Sequence, residues 1–518
     1  MVSGAAARVA ATLGWAAASA VTVRGVGGAV RTAESLAWLS ASAADEPGEA
    51  GEVRLVLVLP LLREQAVIAE VLAHFEKTMA ARPGTVLLVV TTAREEAERA
   101  ESRSQLPGLA RAVSAGVPSG RVASRFVGLL PREQLLALAG EFSRRPYGEC
   151  RERVRQAVDA LPSTAELASQ LCARARGRGV DVRHLHYPHT GGAMAHQVNY
   201  AADSFLGELG PEERAGWWIG LYNADSRPHP DTLAAVAARA AAPEARIVQQ
   251  SALFTGNLAQ MPPGMAGATA AGAAWLQSRW TLAREIPRLR RQAAAARSGR
   301  RGVPLAHCVG HGLFVRADQW SAWGGLPTEL MNEDLAAGFL ACAAGVPIDP
   351  VPVLEIGDSP STLRALVRQQ SQWFWSYAQY PAMVRLAAAR DVGTPAVRWR
   401  LAATGLVRGA LWLGQSPAVA ATVVLPWLHR RAGGSPRSTV AAACGSALAL
   451  GSYLALPARA LAARAPSGNG TSRTWRWRAG AGMVPAALLF SAGPWHCLAR
   501  AAWCRLSGRA VRHGKTER

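Results

Sequence analysis

Apolar and polar positions alternate in blocks through residues 50–390. RLVLVLP (54–60) is an unbroken apolar run closed by a proline, the pattern of a strand covered on both faces. Val67, Ile68, Val71, Leu72, Phe75 and Met79 then fall at helical spacing. TVLLVVTT (85–92), opened by the Pro83-Gly84 turn, WWIGLY (217–222) and RIVQQSALF (246–254) are predicted as further buried strands. Strands alternating with helices predict an α/β fold with a mainly parallel sheet. Ligands of such sheets bind beyond the carboxyl ends of the strands. Residues 97–180 interrupt the alternation and are predicted as an Arg- and Glu-rich helical insert.

The pattern changes at both ends. VAATLGWAAASAVTV (9–23), between Arg8 and Arg24, is about 15 residues, short for a spanning helix of about 20. A signal peptide cut near ASA (18–20) fits it, and so does a membrane-associated helix, which we prefer. Residues 1–50 are therefore read as a membrane-associated or flexible segment. Residues 391–518 hold three apolar stretches of about 20 residues bounded by arginines: 409–428, 439–458 and 479–499. Core helices would show the same composition, but length and flanks favour membrane spans, followed by a basic tail.

Composition adds little to this division. Half of the 518 residues are apolar, and the formal net charge is +21. Only Lys77 and Lys515 are lysines, so the charge is almost all arginine. Such charge suits anionic lipid as well as nucleic acid. The arginines are spread and no nucleic-acid reader motif is present, so no nucleic-acid partner is expected. Seven scattered cysteines without a CxxC pair point away from disulfides and zinc.

Four motifs follow predicted strands or open later helices. PLLRE (60–64) follows the first strand, and NADS (223–226) follows WWIGLY. MNEDL (331–335) opens a helix that Gly345 stops, and RQQSQWFW (368–375) lies on a later helix. Asp225 with Asn223 and Ser226 offers oxygen donors to a hard cation such as Mg2+ or Mn2+, or is simply a turn leading to Pro228. Glu333 and Asp334 fit a helix N-terminus, and equally a general base. Gln369, Gln372 and Trp373 present amides and an aromatic face that suit a sugar or core packing. His311 stands between glycines that permit close backbone approach.

Taken in order, Pro-x-x-x-Glu, the Asp-bearing turn, Glu-Asp and Gln-x-x-x-Trp, followed by membrane helices, resemble the glycosyltransferase family 2 membrane enzymes of the cellulose synthase-like and hyaluronan synthase-like kind. The resemblance covers roughly 53–385. It implies a GT-A fold, a nucleotide-diphosphate sugar donor, a divalent metal and inverting transfer to a lipid-linked or glycan acceptor. It further implies a multi-pass protein of the plasma membrane with its catalytic domain in the cytoplasm. By position, Pro60 and Glu64 would line the nucleoside pocket, Asp225 would bind metal and diphosphate, and Asp334, after Glu333, would be the base. Gln369 and Trp373 would hold the diphosphate and the acceptor end. Four positions depart from the family pattern: Thr91 for an Asp, Met194 for a Lys ahead of Asn199, Asn223 for the first Asp of the metal turn, and Gln372 for an Arg. Thr91, Asn199, Asn223, His311 and Gln372 are kept as substrate-side candidates. The departures also admit a catalytically weak or inactive scaffold on the same fold.

Overall fold

A computed structural model describes residues 4–44, 53–117, 122, 130, 132–299, 302–456, 458–459 and 473–507. Strand β1 (Arg54–Pro60) sends alternate residues into two cores. Leu55, Leu57 and Leu59 pack with the helices Ile68–Ala80, Thr164–Gly177 and Thr232–Ala240. Val56 and Val58 join the other core with the helices Met194–Gly207 and Glu333–Ala344. Burial on both faces is why RLVLVLP carries no polar alternation.

The main sheet runs β3-β2-β1-β4-β7-β5-β8. Its other strands are β2 (Val86–Thr92), β3 (Val182–Tyr187), β4 (Trp217–Leu221), β5 (Ile247–Gln249), β7 (Leu313–Arg316) and β8 (Ile348–Pro350). All pairings are parallel except those of β7, which runs antiparallel between β4 and β5. The result is the expected mixed α/β architecture with a mostly parallel sheet. The predicted strand 246–254 is two strands. After β5 the chain leaves the main sheet, and β6 (Ala252–Leu253) pairs with β9 (Glu355–Ile356) in a small second sheet. That break lets the chain pass over the strand ends, where the site lies. Strand β3, VRHLHY, was not predicted, because Arg183, His184 and His186 interrupt its apolar run.

Among the described residues, the stretch between β2 and β3 forms helices that close a core of their own around Leu109, Val113, Leu135 and Val154.

The N-terminal helix, Gly4–Ala44, is far longer than its apolar stretch, because Arg24 and Arg31 continue it rather than end it. Among the described residues, three helical stretches are long and apolar enough to cross a membrane: Ala5–Ser42, Pro395–Arg431 and Pro436–Ala455. Segment 479–499 does not form one straight span. It is divided between helices Arg473–Leu489 and Ala492–Leu506. The first of these packs on the helix Gly264–Trp280, where Gly272 faces Gly482 so closely that a methyl group on Gly272 would come within 2.5 Å of the Gly482 carbonyl. The second lies along the helix Leu363–Ala378, with His496 Nδ1 3.1 Å from the Ser371 hydroxyl.

Candidate active site

The strand ends carry the candidate residues. Past β4, a tight turn closes when the Ser226 N–H donates to the Asn223 carbonyl (3.0 Å) and the Asn223 N–H donates to the Ser226 hydroxyl (3.2 Å). Asp225 rides on this turn, partly buried. Beside it stands an ion pair between His311, just ahead of β7, and Glu355 of β9, with Nδ1 and Oε2 2.9 Å apart. The other Glu355 oxygen accepts the Arg227 main-chain N–H at 3.0 Å. Burial works against the charge on His311, but Glu355, Glu285 and Asp225 outweigh it and push the imidazole up to about 9. Burial likewise works to raise Glu355, and the charge and hydrogen bond of His311 hold it below the usual range instead. His311 is therefore a fixed cation among carboxylates at neutral pH.

Gln249 holds the His311 loop in place: its amide accepts from the Val309 N–H (2.9 Å) and donates to the His311 carbonyl (2.9 Å). Gly312 has φ +60, and a methyl group there would sit 2.6 Å from Gln250 Cβ. Only glycine fits that turn.

Glu333 and Asp334 open the helix Glu333–Ala344, which Gly345 ends in the left-handed region, with the Val346 N–H donating to the Ala341 carbonyl at 2.9 Å. Glu333 is buried and Asp334 partly so. Burial and the adjacent Asp334 charge push Glu333 up to about 8. Burial also raises Asp334, opposed by the Leu335 and Gly310 main-chain N–H groups and by His311. At neutral pH the pair holds a proton. A Cβ on Gly310 would lie 3.4 Å from Asp334 and 3.3 Å from the Met194 methyl, so both side chains close on that glycine.

Asn332 ties this helix to the glutamine helix. Its Nδ2 donates to the Gln372 carbonyl at 3.1 Å and to the Ser376 hydroxyl. On the same helix, Leu363–Ala378, the Gln369 Oε1 is buried with no partner among the described residues, and Trp373, 37% exposed, tilts against Phe254. An acceptor left open beside an exposed indole suits a hydroxyl-rich ligand.

Other candidates have structural partners. Asn199 is bonded at both ends of its amide: its Nδ2 donates to the Leu326 carbonyl (2.9 Å) and its Oδ1 accepts the Leu326 N–H (2.8 Å), so the amide holds a turn. The Thr91 hydroxyl is shared between His184 Nε2 (2.8 Å) and His186 Nδ1 (2.9 Å). Pro60 ends β1. The Glu64 carbonyl accepts from Val67 and Ile68, and its N–H donates to Thr164. The loop before it takes φ +56 at Arg63 and is held by buried Glu95, which accepts from the Arg63 and Thr164 N–H groups at 2.7 and 2.9 Å.

Sequence reasoning missed Glu355, Glu285, Gln249 and Glu95. Glu355 had a signal, as a lone acid among apolar residues in VPVLEIG.

Among the described residues, no group of three or more His, Cys, Asp or Glu side chains can hold a metal by itself. Asp225 on its oxygen-rich turn can supply one carboxylate, which fits a cation whose remaining ligands come from a bound diphosphate.

Residues 218–456 match the family model for glycosyl transferase family group 2. Over that stretch the chain is similar to family 2 glycosyltransferases. The matched region contains the Asp225 turn, the His311–Glu355 pair, the Glu-Asp helix and the glutamine helix. Among solved structures, this glycosyltransferase is similar to the mannosyltransferase PcManGT from Pyrobaculum calidifontis in complex with GDP-Man and Mn2+. Identity is 15%, with 92% of this chain and 98% of that chain covered and a TM-score of 0.42. No curated protein sequence matches the chain.

Proposed function

We propose that this glycosyltransferase is a membrane-bound inverting enzyme that moves a sugar from a nucleotide-diphosphate donor to a lipid-linked or glycan acceptor. The observation that carries the proposal is the His311 cation, which is acted on by Asp225 and itself acts on Asp334, a carboxyl at a helix start held by the Gly310 N–H. Asp334 takes the proton from the acceptor hydroxyl. The freed oxygen attacks the anomeric carbon from the face opposite the diphosphate, and the bond from that carbon to the diphosphate oxygen breaks with its electron pair. Glu333, protonated, adds no charge to repel the leaving group. The His311 cation stabilises the negative charge that collects there. Asp225 would hold a divalent cation shared with the donor diphosphate, which would offset leaving-group charge. Gln369 and Trp373 would receive the acceptor end.

Three apolar helices support membrane attachment. We place the catalytic domain on the cytoplasmic face of the plasma membrane, where nucleotide sugars are made.

The test is transfer by purified membranes over a panel of nucleotide-sugar donors. Turnover in the wild type that Asp334→Asn abolishes supports the reading; equal background for both on every donor ends it. Met194, together with Thr91, Asn223 and Gln372, favours a second reading, an inactive scaffold on the same fold. Calorimetric binding of a nucleotide sugar without turnover on any acceptor would favour that reading.

A further inference from the structure

Six arginines line a single cavity of about 610 Å3: Arg31, Arg284, Arg288, Arg291, Arg400 and Arg408. They come from three places in the chain. Arg31 lies on the N-terminal helix, Arg284 on a π-helical turn (Thr281–Glu285), Arg288 and Arg291 on the helix Ile286–Arg297, and Arg400 and Arg408 on the helix Pro395–Leu413. The N-terminal helix crosses the π turn closely, with the Ser35 hydroxyl donating to the Leu282 carbonyl at 2.7 Å.

Nearby arginines outside the cavity find acids: Arg297 pairs with Glu244 at 3.0 Å, and Arg390 with Glu329 at 2.9 Å. Among the described residues, the six cavity arginines have no carboxylate partner. Arg291, Arg400 and Arg408 donate only to main-chain carbonyls, at 3.0, 3.0 and 3.1 Å. Arg408 Nη1 is buried with no partner at all. Burial and then neighbouring guanidinium charges push Arg288 down to about 9 and Arg284 down to about 10. Arg31, Arg284, Arg288 and Arg408 are partly buried and Arg291 and Arg400 exposed, and crowding six like charges around one cavity without a carboxylate is costly, so the arrangement calls for an anion.

Guanidinium forks match phosphate oxygens in pairs, and several around one cavity suit a phosphate better than a carboxylate. The rest of the wall is apolar. Val407 and Leu411, 58% and 51% exposed, line the cavity on a helix that belongs to a candidate membrane span, and Arg31 belongs to another. The mouth therefore continues onto a surface that lipid chains can cover.

We propose that this cavity binds the phosphate head of a membrane lipid, with the acyl chains lying along Val407 and Leu411. The π turn gives the site a covalent link to the catalytic chamber, since Arg284 faces the cavity while the next residue, Glu285, acts on His311. The proposal concerns binding rather than transfer, and it stands or falls independently of the reaction proposed above.

The test uses the full-length protein in neutral detergent and measures its affinity for dioctanoyl phosphatidic acid. Dioctanoylglycerol and inorganic pyrophosphate serve as the comparison ligands. We expect phosphatidic acid to bind more tightly than either. Arg284→Gln with Arg288→Gln should weaken it about tenfold or more, as loss of two paired phosphate contacts requires. Arg284→Lys with Arg288→Lys should keep more of the affinity, and Arg103→Gln with Arg155→Gln, at exposed positions, should keep all of it. Unchanged affinity in a double Gln variant that melts like the wild type overturns the proposal. Pyrophosphate binding as tightly as the lipid overturns the lipid assignment. Should the double Gln variant fail to fold, Arg31→Gln decides: reduced affinity supports the site and unchanged affinity overturns it.

Discussion

The Nδ1 atom of His311 stands 2.9 Å from Oε2 of Glu355, joining the loop before β7 to the small second sheet. The linkage gives stability a definite pH window. His311 is raised from 6.5 to about 9, so its contribution is complete below about 6.5 and is lost as pH climbs through about 9. Glu355 is lowered, so its share is present above 4.5 and is lost as pH falls through its folded value. Thermal melts of chelator-treated protein should show a loss of up to about 3 kcal/mol between neutral and strongly alkaline pH. Glu355→Gln should flatten that slope.

The Glu333–Asp334 pair sets the acid limb of turnover. Asp334 is raised by burial, so the base is protonated in acid and activity should climb with pH through a limb above the usual aspartate range. Glu333→Gln mimics the protonated acid already present there and should leave the limb in place. Asp334→Asn should cost about two to four orders of magnitude in kcat at every pH, the usual scale for a general base. A pH–rate profile of the three proteins checks both statements.

Asn223→Asp adds a second carboxylate to the turn that carries Asp225. Manganese should bind more tightly, with the fold unchanged, because a hard cation prefers a carboxylate to an amide oxygen. Calorimetric titration reads this directly; equal affinity in variant and wild type would remove Asp225 from the metal role.

Asn199→Ala should act on stability and not on donor affinity. It unpairs both the N–H and the carbonyl of Leu326, at about 1–3 kcal/mol. A lowered melting temperature with unchanged KM is the expected signature, and a raised KM at unchanged stability would return Asn199 to the substrate side.

Strands covered on both faces were legible because burial leaves an unbroken apolar run, as in RLVLVLP and TVLLVVTT. The helix from Glu333 to its Gly345 stop was legible because its boundary signals are local. The polar strand β3 and the break between β5 and β6 were not, since both depend on what the sheet edge meets in space. The site divided in the same way. Asp225, Glu333, Asp334 and Gln369 sit in short motifs, whereas the partner of His311 lies 44 residues further on. Asn199 shows the same limit, since its partner Leu326 lies 127 residues away.

Gly272 and Gly482 bring two helices into main-chain contact, one leading into the arginine-lined π turn and the other from the C-terminal region. A methyl group on Gly482 would run into the Ala268 carbonyl oxygen, so no side chain cushions the crossing. A fragment trimmed after residue 390 to obtain a soluble enzyme would strip this partner away and leave an alanine- and glycine-lined face bare. Such a fragment should aggregate, and biochemistry on this protein will succeed only with the whole chain held in detergent or bilayer.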